Sequence, residues 1–324
     1  MRVFITRELP DEVLQPVREV ATVDVWPGEL PPPREVMLER TADVDGLLCL
    51  LTDRIDAELL DHAPRLKVVS QMAVGFDNID VEACTARGIP VGNTPGVLTE
   101  TTADLAFGLL LATARRLVEA DRVTRSGAWK TWSPMFLTGP DVHHAVLGIV
   151  GMGRIGAEMA RRARGFQMEV LYADAQANPQ AEQEFGVKRV ELDELLRAAD
   201  FVTLHTPLTP ETYHLIGSRE LALMKPTAIL INTSRGPVVD QKALVEALRN
   251  GTIRAAGLDV YEEEPLSPQD ELTTFENVVL LPHIGSASIA TRLKMARLAV
   301  DNLLAGLSGR PLPHPVNPNV IPRR

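Results

Sequence analysis

The chain has little cysteine: only Cys49 and Cys84 occur in 324 residues. Two such thiols supply neither a disulfide framework nor a metal-binding spacing, and both stand among apolar neighbours, where a buried structural thiol is expected. Basic charge is also short. With 33 Lys and Arg against 43 Asp and Glu the formal net charge is −10, which disfavours nucleic acid or an anionic membrane as the main partner, since both repel a protein of that sign. No uncharged apolar run reaches membrane-spanning length, and the opening M-R-V-F-I-T-R enters charged sequence at once, so neither a transmembrane helix nor a signal peptide is expected. Low-complexity tracts are lacking too, apart from a local Pro31-Pro32-Pro33 turn. These absences point to a globular protein of a reducing, cytoplasmic compartment. A length of 324 residues at 45% hydrophobic composition suffices for two well-buried domains.

What is present centres on residues 146 to 156, V-L-G-I-V-G-M-G-R-I-G, an apolar strand running into Gly151-x-Gly153-x-x-Gly156 and then a helix-forming stretch. Gly151 suits a tight turn, Gly153 a close backbone approach to a pyrophosphate, and Gly156 close packing of helix on strand. The helix N-terminus then faces the phosphates. Asp174 closes the next strand candidate, E-V-L-Y-A-D, about twenty residues on, where a carboxylate accepts hydrogen bonds from an adenosine ribose and repels a 2′-phosphate. Ala175 and Gln176 follow it, so no arginine stands beside it in sequence, although Arg154 follows the glycine loop. NAD is the expected cofactor, with NADP possible.

The first hundred residues alternate apolar runs with helical segments: R-V-F-I-T, D-G-L-L-C-L-L-T, L-K-V-V-S-Q-M and I-P-V-G-N-T. That rhythm predicts a parallel sheet of its own. A long helix is predicted from Thr101 to Glu119, with Thr99 and Thr101 as caps. Beyond Gly156, V-L-Y-A-D, F-V-T-L-H, A-I-L-I-N-T, A-A-G-L-D-V and V-V-L-L-P-H read as further buried strands. Their ends carry Asp174, His205, Asn232 to Arg235, Asp259 and His283, and ligands of open α/β sheets bind beside such ends. A last helix candidate, Ala287 to Leu307, is expected to return to the first domain. The fold class is α/β, with two Rossmann-like or flavodoxin-like parallel-sheet domains and an active-site cleft between them.

Three strand-end segments carry reactive groups: I-N-T-S-R-G with Arg235, D-V-Y-E-E-E-P with Glu264 and L-L-P-H-I-G-S with His283. An arginine can pair bidentately with a carboxylate, an imidazolium can donate a proton near neutral pH, and a carboxylate can orient the imidazole and favour its charged form. Together they suit reduction of a 2-keto acid by hydride transfer. Each alone has an ordinary structural explanation: a surface ion pair, one member of an acidic turn, and a strand-end histidine.

The combination of V-G-F-D-N-I-D at 74 to 80, G-M-G-R-I-G at 151 to 156, N-T-S-R-G at 232 to 236, G-L-D-V-Y-E-E-E-P at 257 to 265 and P-H-I-G-S at 282 to 286 resembles the D-isomer-specific 2-hydroxyacid dehydrogenases over nearly the whole chain. The resemblance implies a catalytic Arg235, Glu264 and His283, and substrate-carboxylate binding by the Val74 and Gly75 amides. It also implies an Asp259 lying against the nicotinamide amide. The implied dinucleotide set is Thr102, Gly151, Gly153, Arg154, Ile155, Gly156, Asp174, Thr206, Pro207, Thr233, Asp259 and Gly285. The implied substrate set is Leu51, Val74, Gly75, Arg235, His283, Arg292 and Trp132.

Within the family the chain is most similar to glyoxylate/hydroxypyruvate reductases, through D-G-L-L-C-L-L-T, W-K-T-W-S-P-M-F-L-T-G and H-I-G-S-A-S-I-A-T-R. That similarity implies a homodimer in which Trp132 reaches the partner's site from a dimerisation arm near 120–146. It implies a substrate-binding domain of 1–98 plus 288–324 and a dinucleotide domain of 99–287, acting on small 2-keto and 2-hydroxy acids. Alternatives are another D-2-hydroxyacid dehydrogenase, a phosphite dehydrogenase and an NAD-sensing co-repressor. The second would show a lysine where Val74 stands, and the third long disordered tails.

Overall fold

Apolar runs such as Gly46–Cys49 and Ile229–Asn232 become strands in which every residue is buried, as parallel strands must be when helices cover both faces of a sheet. A computed structural model describes residues 1–320. The chain forms two units: Met1–Leu98 together with the chain from Ser288 onward, and Thr99–Ala287.

The first unit holds strands β1 (Arg2–Ile5), β2 (Thr22–Val25), β3 (Gly46–Cys49), β4 (Val68–Gln71) and β5 (Val91–Gly92) in the order β2-β1-β3-β4-β5, all parallel. One side of its core gathers Phe4, Leu47, Cys49, Leu59, Val69 and Val91. The helix Ile289–Leu307 packs on β3 and β4, so the chain does return to this unit. Ser288 caps that helix, its side chain accepting from the Thr291 amide at 3.2 Å.

The second unit holds β6 (Val146–Val150), β7 (Glu169–Ala173), β8 (Lys188–Arg189), β9 (Phe201–Leu204), β10 (Ile229–Asn232), β11 (Ala255–Leu258) and β12 (Val278–Leu280) in the order β12-β11-β10-β9-β6-β7-β8. Every pairing is parallel. Two apolar clusters flank the sheet, one around Leu195, Leu230 and Leu244, the other around Leu110, Ile149 and Met159.

The helix expected over Thr101 to Glu119 is two helices, Thr99–Ala114 and Leu117–Arg125. Arg116 takes the left-handed conformation at φ 54° and ends the first, as residues just past a helix often do. Its guanidinium then bonds Glu119 with both Nε and Nη2 at 2.7 Å, which holds the corner. Thr99 lies in the first turn rather than capping it. β2 and β8 escaped sequence reading because both are edge strands with little burial and no apolar run. Cys49 and Cys84 are free and buried, and burial pushes the Cys84 thiol up to about 12. No described helix is long and apolar enough to cross a membrane.

Candidate active site

The register of the larger sheet aligns Ala173, Val150, Leu204, Asn232, Leu258 and Leu280 in one row across β7, β6, β9, β10, β11 and β12. One residue beyond it stand Asp174, Gly151, His205, Thr233 and Asp259, and three beyond Leu280 stands His283. These strand-end residues thus gather at the carboxyl edge of the sheet. Strand order reverses there, with β7 on one side of β6 and β9 on the other, and such a switch point leaves a crevice between diverging connections.

Gly151 sits at φ +95°, and a Cβ there would stand 2.7 Å from the His205 carbonyl oxygen. A Cβ on Gly156 would stand 2.2 Å from the Gly151 carbonyl oxygen, so only glycine lets the helix Arg154–Gly165 start this close to the loop. A Cβ on Gly153 would meet nothing within 4 Å. The loop therefore opens outward at Gly153 and is closed by packing at its two ends. Gly153 caps the helix without a side-chain hydrogen bond, so the positive end of the helix is available to an anion.

Two further observations favour a polar ligand along this edge. The hydroxyls of Thr206 and Thr233 are buried without a hydrogen-bond partner among the described residues, and a buried hydroxyl of this kind costs stability until something pairs with it. These residues fit a dinucleotide. Of the others expected to face it, Thr102 and Gly285 are buried, Asp174 and Ile155 half-buried, and Arg154 and Pro207 exposed.

Asp174 Oδ2 accepts from the Met152 amide at 2.8 Å and Oδ1 from the Gln176 amide at 2.9 Å, which ties the carboxylate to the glycine loop. Sequence reading missed two neighbours. Asn178 Nδ2 donates to the Met152 carbonyl at 2.9 Å. Arg189, on the edge strand β8, donates to the carbonyls of Asp174 and Ala175 at 2.9 and 3.1 Å. An arginine therefore does lie beside this loop, brought by strand pairing rather than by sequence adjacency.

Arg235, Glu264 and His283 follow β10, β11 and β12, three neighbouring strands. Buried Asn232 organises the first of these turns: its Nδ2 donates to the Arg235 carbonyl at 2.9 Å, and its Oδ1 accepts from the Ser234 amide at 3.0 Å and hydroxyl at 2.8 Å. A Cβ on Gly236 would stand 1.8 Å from Tyr261 backbone atoms, so glycine permits the Arg235 turn to lie against the Glu264 turn. His283 Nδ1 and Glu264 Oε2 are 2.7 Å apart. Glu264 Oε1 accepts from the Tyr261 amide at 3.1 Å, and the Glu264–Pro265 bond is cis.

His283 is left-handed at φ 54°, a conformation costly for an ordinary residue and held here by its surroundings. Asp259 does that holding. Fully buried, it accepts from the Ile284 amide at 2.8 Å and the Gly285 amide at 2.7 Å, one on each oxygen. Burial raises the Asp259 carboxyl above its ordinary range.

Leu51, Val74, Gly75 and Arg292 belong to the smaller unit. Leu51 follows β3, Val74 and Gly75 follow β4, and Arg292 lies in the first turn of the helix Ile289–Leu307. Trp132 is 76% exposed, in a stretch that also exposes Trp129, Met135 and Phe136.

The profile of the family described as D-isomer specific 2-hydroxyacid dehydrogenase, NAD binding domain, matches residues 107–285. A glyoxylate reductase of Korarchaeum cryptofilum is 56% identical over 321 residues, 99% of this chain and 97% of the relative. The chain belongs to the D-isomer-specific 2-hydroxyacid dehydrogenase family. As a member it is a nicotinamide-dependent dehydrogenase. Among solved structures, a protein of Thermus thermophilus is similar to this dehydrogenase at a TM-score of 0.92 and 50% identity, over 98% of this chain and 100% of that one. An NADPH-dependent glyoxylate/hydroxypyruvate reductase of Sinorhizobium meliloti, solved with NADP and malonate, matches at 0.84 and 36%, over 100% and 98%.

Proposed function

We propose that this dehydrogenase reduces glyoxylate and hydroxypyruvate with a preference for NADH. The observation that carries the reading is the 2.7 Å pairing of His283 Nδ1 with Glu264 Oε2 at the same sheet edge as the glycine loop. Likeness to glyoxylate reductases supports the substrate class.

When bound, the reduced nicotinamide supplies a hydride to the carbonyl carbon. With Nδ1 facing Glu264, His283 presents Nε2 as the group that delivers the proton to the carbonyl oxygen, leaving a 2-hydroxy acid. Glu264, itself anchored by the Tyr261 amide, keeps the ring in place as the proton leaves. Arg235 pairs with the substrate carboxylate and polarises the carbonyl, and the Val74 and Gly75 amides add neutral donors to that carboxylate. Leu51, Arg292 and, from a second subunit, Trp132 complete the substrate set.

Thr102, Gly151, Gly153, Arg154, Ile155, Gly156, Asp174, Thr206, Pro207, Thr233, Asp259 and Gly285 make up the cofactor set. Asp174 is the ground for preferring NADH, since its charge opposes a 2′-phosphate, while Arg189 beside it tempers that preference. The exposed Trp129, Trp132, Met135 and Phe136 support a homodimer, because an apolar stretch of this kind is normally covered by a partner. The smaller unit is proposed as the substrate-binding domain.

The test is loss of reduced-nicotinamide absorbance with glyoxylate, hydroxypyruvate and pyruvate, each with NADH and NADPH, and light scattering on the eluted protein. Faster turnover of the first two substrates with NADH, by a dimer, is expected. NADPH preference would overturn the Asp174 argument alone, and no turnover with either cofactor would overturn the reductase reading.

A further inference from the structure

We propose that Asn93 is a positioning residue that presets the Gly75 amide, beside that of Val74, to receive the substrate carboxylate. The inference rests on the reading that those amides bind that carboxylate.

In a trans peptide the C=O and N–H point in opposite directions, so whatever holds a carbonyl also aims the amide of the next residue. Three successive carbonyls are held here. The Thr94 amide donates to the Ala73 carbonyl at 2.9 Å, which aims the Val74 N–H. Asn93 Nδ2 donates to the Val74 carbonyl at 2.8 Å, which aims the Gly75 N–H. Gln71 Nε2 donates to the Gly75 carbonyl at 2.9 Å. Among the described residues neither the Val74 nor the Gly75 amide donates to a backbone acceptor, so both remain available to a ligand.

Asn93 is the link that residue choice controls most directly. The Thr94 bond is backbone to backbone and survives most substitutions. Gln71 is fully buried and engaged in a reciprocal amide pair with Asn78, at 2.5 Å in one direction and 3.1 Å in the other. Without Asn93 nothing else described holds the Val74 carbonyl, and the Val74–Gly75 peptide ends on a glycine, whose backbone rotates at low cost. A flipped peptide would present a carbonyl oxygen to an anion. Asn93 itself is fixed at both backbone ends: its amide donates to the His314 carbonyl at 3.2 Å, and its carbonyl accepts from Asn302 Nδ2 at 2.9 Å. A rigid base therefore carries a side chain that reaches to a permissive peptide, the arrangement that preorganised donors require.

The experiment compares glyoxylate with its neutral isostere glyoxylamide in the native dehydrogenase, Asn93→Ala and Asn93→Ser. NADH affinity by fluorescence serves as the folding control, and the serine variant leaves the smaller void. For both variants kcat/KM on glyoxylate should fall roughly tenfold to a hundredfold, the range for losing a hydrogen bond to a charged group, mostly through KM. Turnover of glyoxylamide and NADH affinity should hold. Retained acid preference in either folded variant overturns the inference while leaving the carboxylate reading intact, and so does a parallel loss on both substrates. A native chain that treats acid and amide alike removes the carboxylate reading itself, and the inference with it.

Discussion

In the larger unit the groups proposed to act on substrate are side chains, Arg235, Glu264 and His283, whereas in the smaller unit they are chiefly backbone amides at Val74 and Gly75. The difference decides what a substitution can reach. A side chain can be deleted where it acts. An amide belongs to every residue except proline, so it is altered only through the neighbours that aim it, here Asn93, Thr94 and Gln71. Both units use parallel strands that end in turns, and both carry their proposed site residues just past strand ends, yet one set acts through residue type and the other through peptide orientation.

The sharpest way to break the contrast is at His283. His283→Ala should lower kcat by roughly a hundredfold to ten-thousandfold, the usual worth of a positioned acid, while NADH binding persists. Steady-state kinetics beside a fluorescence titration checks both, and unimpaired turnover would remove the proton-donor role. Arg235→Ala should cost less in kcat and more in KM, since its proposed part is to anchor a carboxylate shared with other proposed donors. Retained kcat/KM on glyoxylate would discard that anchor.

A smaller effect probes the one place where the larger unit also works through backbone. A Cβ on Gly153 meets nothing within 4 Å, so Gly153→Ala should fold normally and weaken NADH by about tenfold, or 1.4 kcal/mol. Calorimetric titration reads it, and unchanged affinity would move the pyrophosphate elsewhere.

The smallest effect separates the units by pH. Although His205 as a residue reaches the surface in part, desolvation lowers its imidazole to about 3. Between the ordinary 6.5 and that value the unfolded chain binds the extra proton, so this contribution to the larger unit is present above 6.5 and is lost as pH falls, by about 1 kcal/mol per unit. Asp53 in the smaller unit behaves oppositely, as does buried Asp259 in the larger, which leaves His205 as the group that separates the two units. Burial raises both carboxyls, so the folded state holds the proton more tightly, and each contribution is full at low pH and lost as pH rises through the raised value. Hydrogen exchange at pH 7 and pH 5.8 should therefore show the larger unit loosening more on acidification, about 1 kcal/mol. Equal loosening would deny that His205 governs the difference.

Much of the larger unit was legible because buried parallel strands must be nearly continuously apolar and because the glycine loop imposes residue type at three positions. The row of strand ends followed from that. Arg189 beside Asp174 was not legible, since strand pairing rather than spacing brings it there, and a two-residue edge strand leaves no pattern. The break at Arg116 was hidden for another reason: a non-glycine residue in the left-handed conformation carries no compositional mark. In the smaller unit Val74 and Gly75 were reached only through family resemblance, and Asn93, which aims one of them, stood within a noted strand segment, I-P-V-G-N-T, with nothing to set it apart.

The smaller unit is assembled from both ends of the chain, with the whole larger unit inserted between Leu98 and Ser288. Asn302 and His314, which clamp Asn93, are translated after the larger unit is complete. A nascent chain that has finished the larger unit already owns its glycine loop and its Arg235, Glu264 and His283, while the amides proposed to receive the carboxylate still lack their support. Cofactor capture can therefore precede substrate competence during synthesis, and a chain released early would sequester dinucleotide without turning over acid.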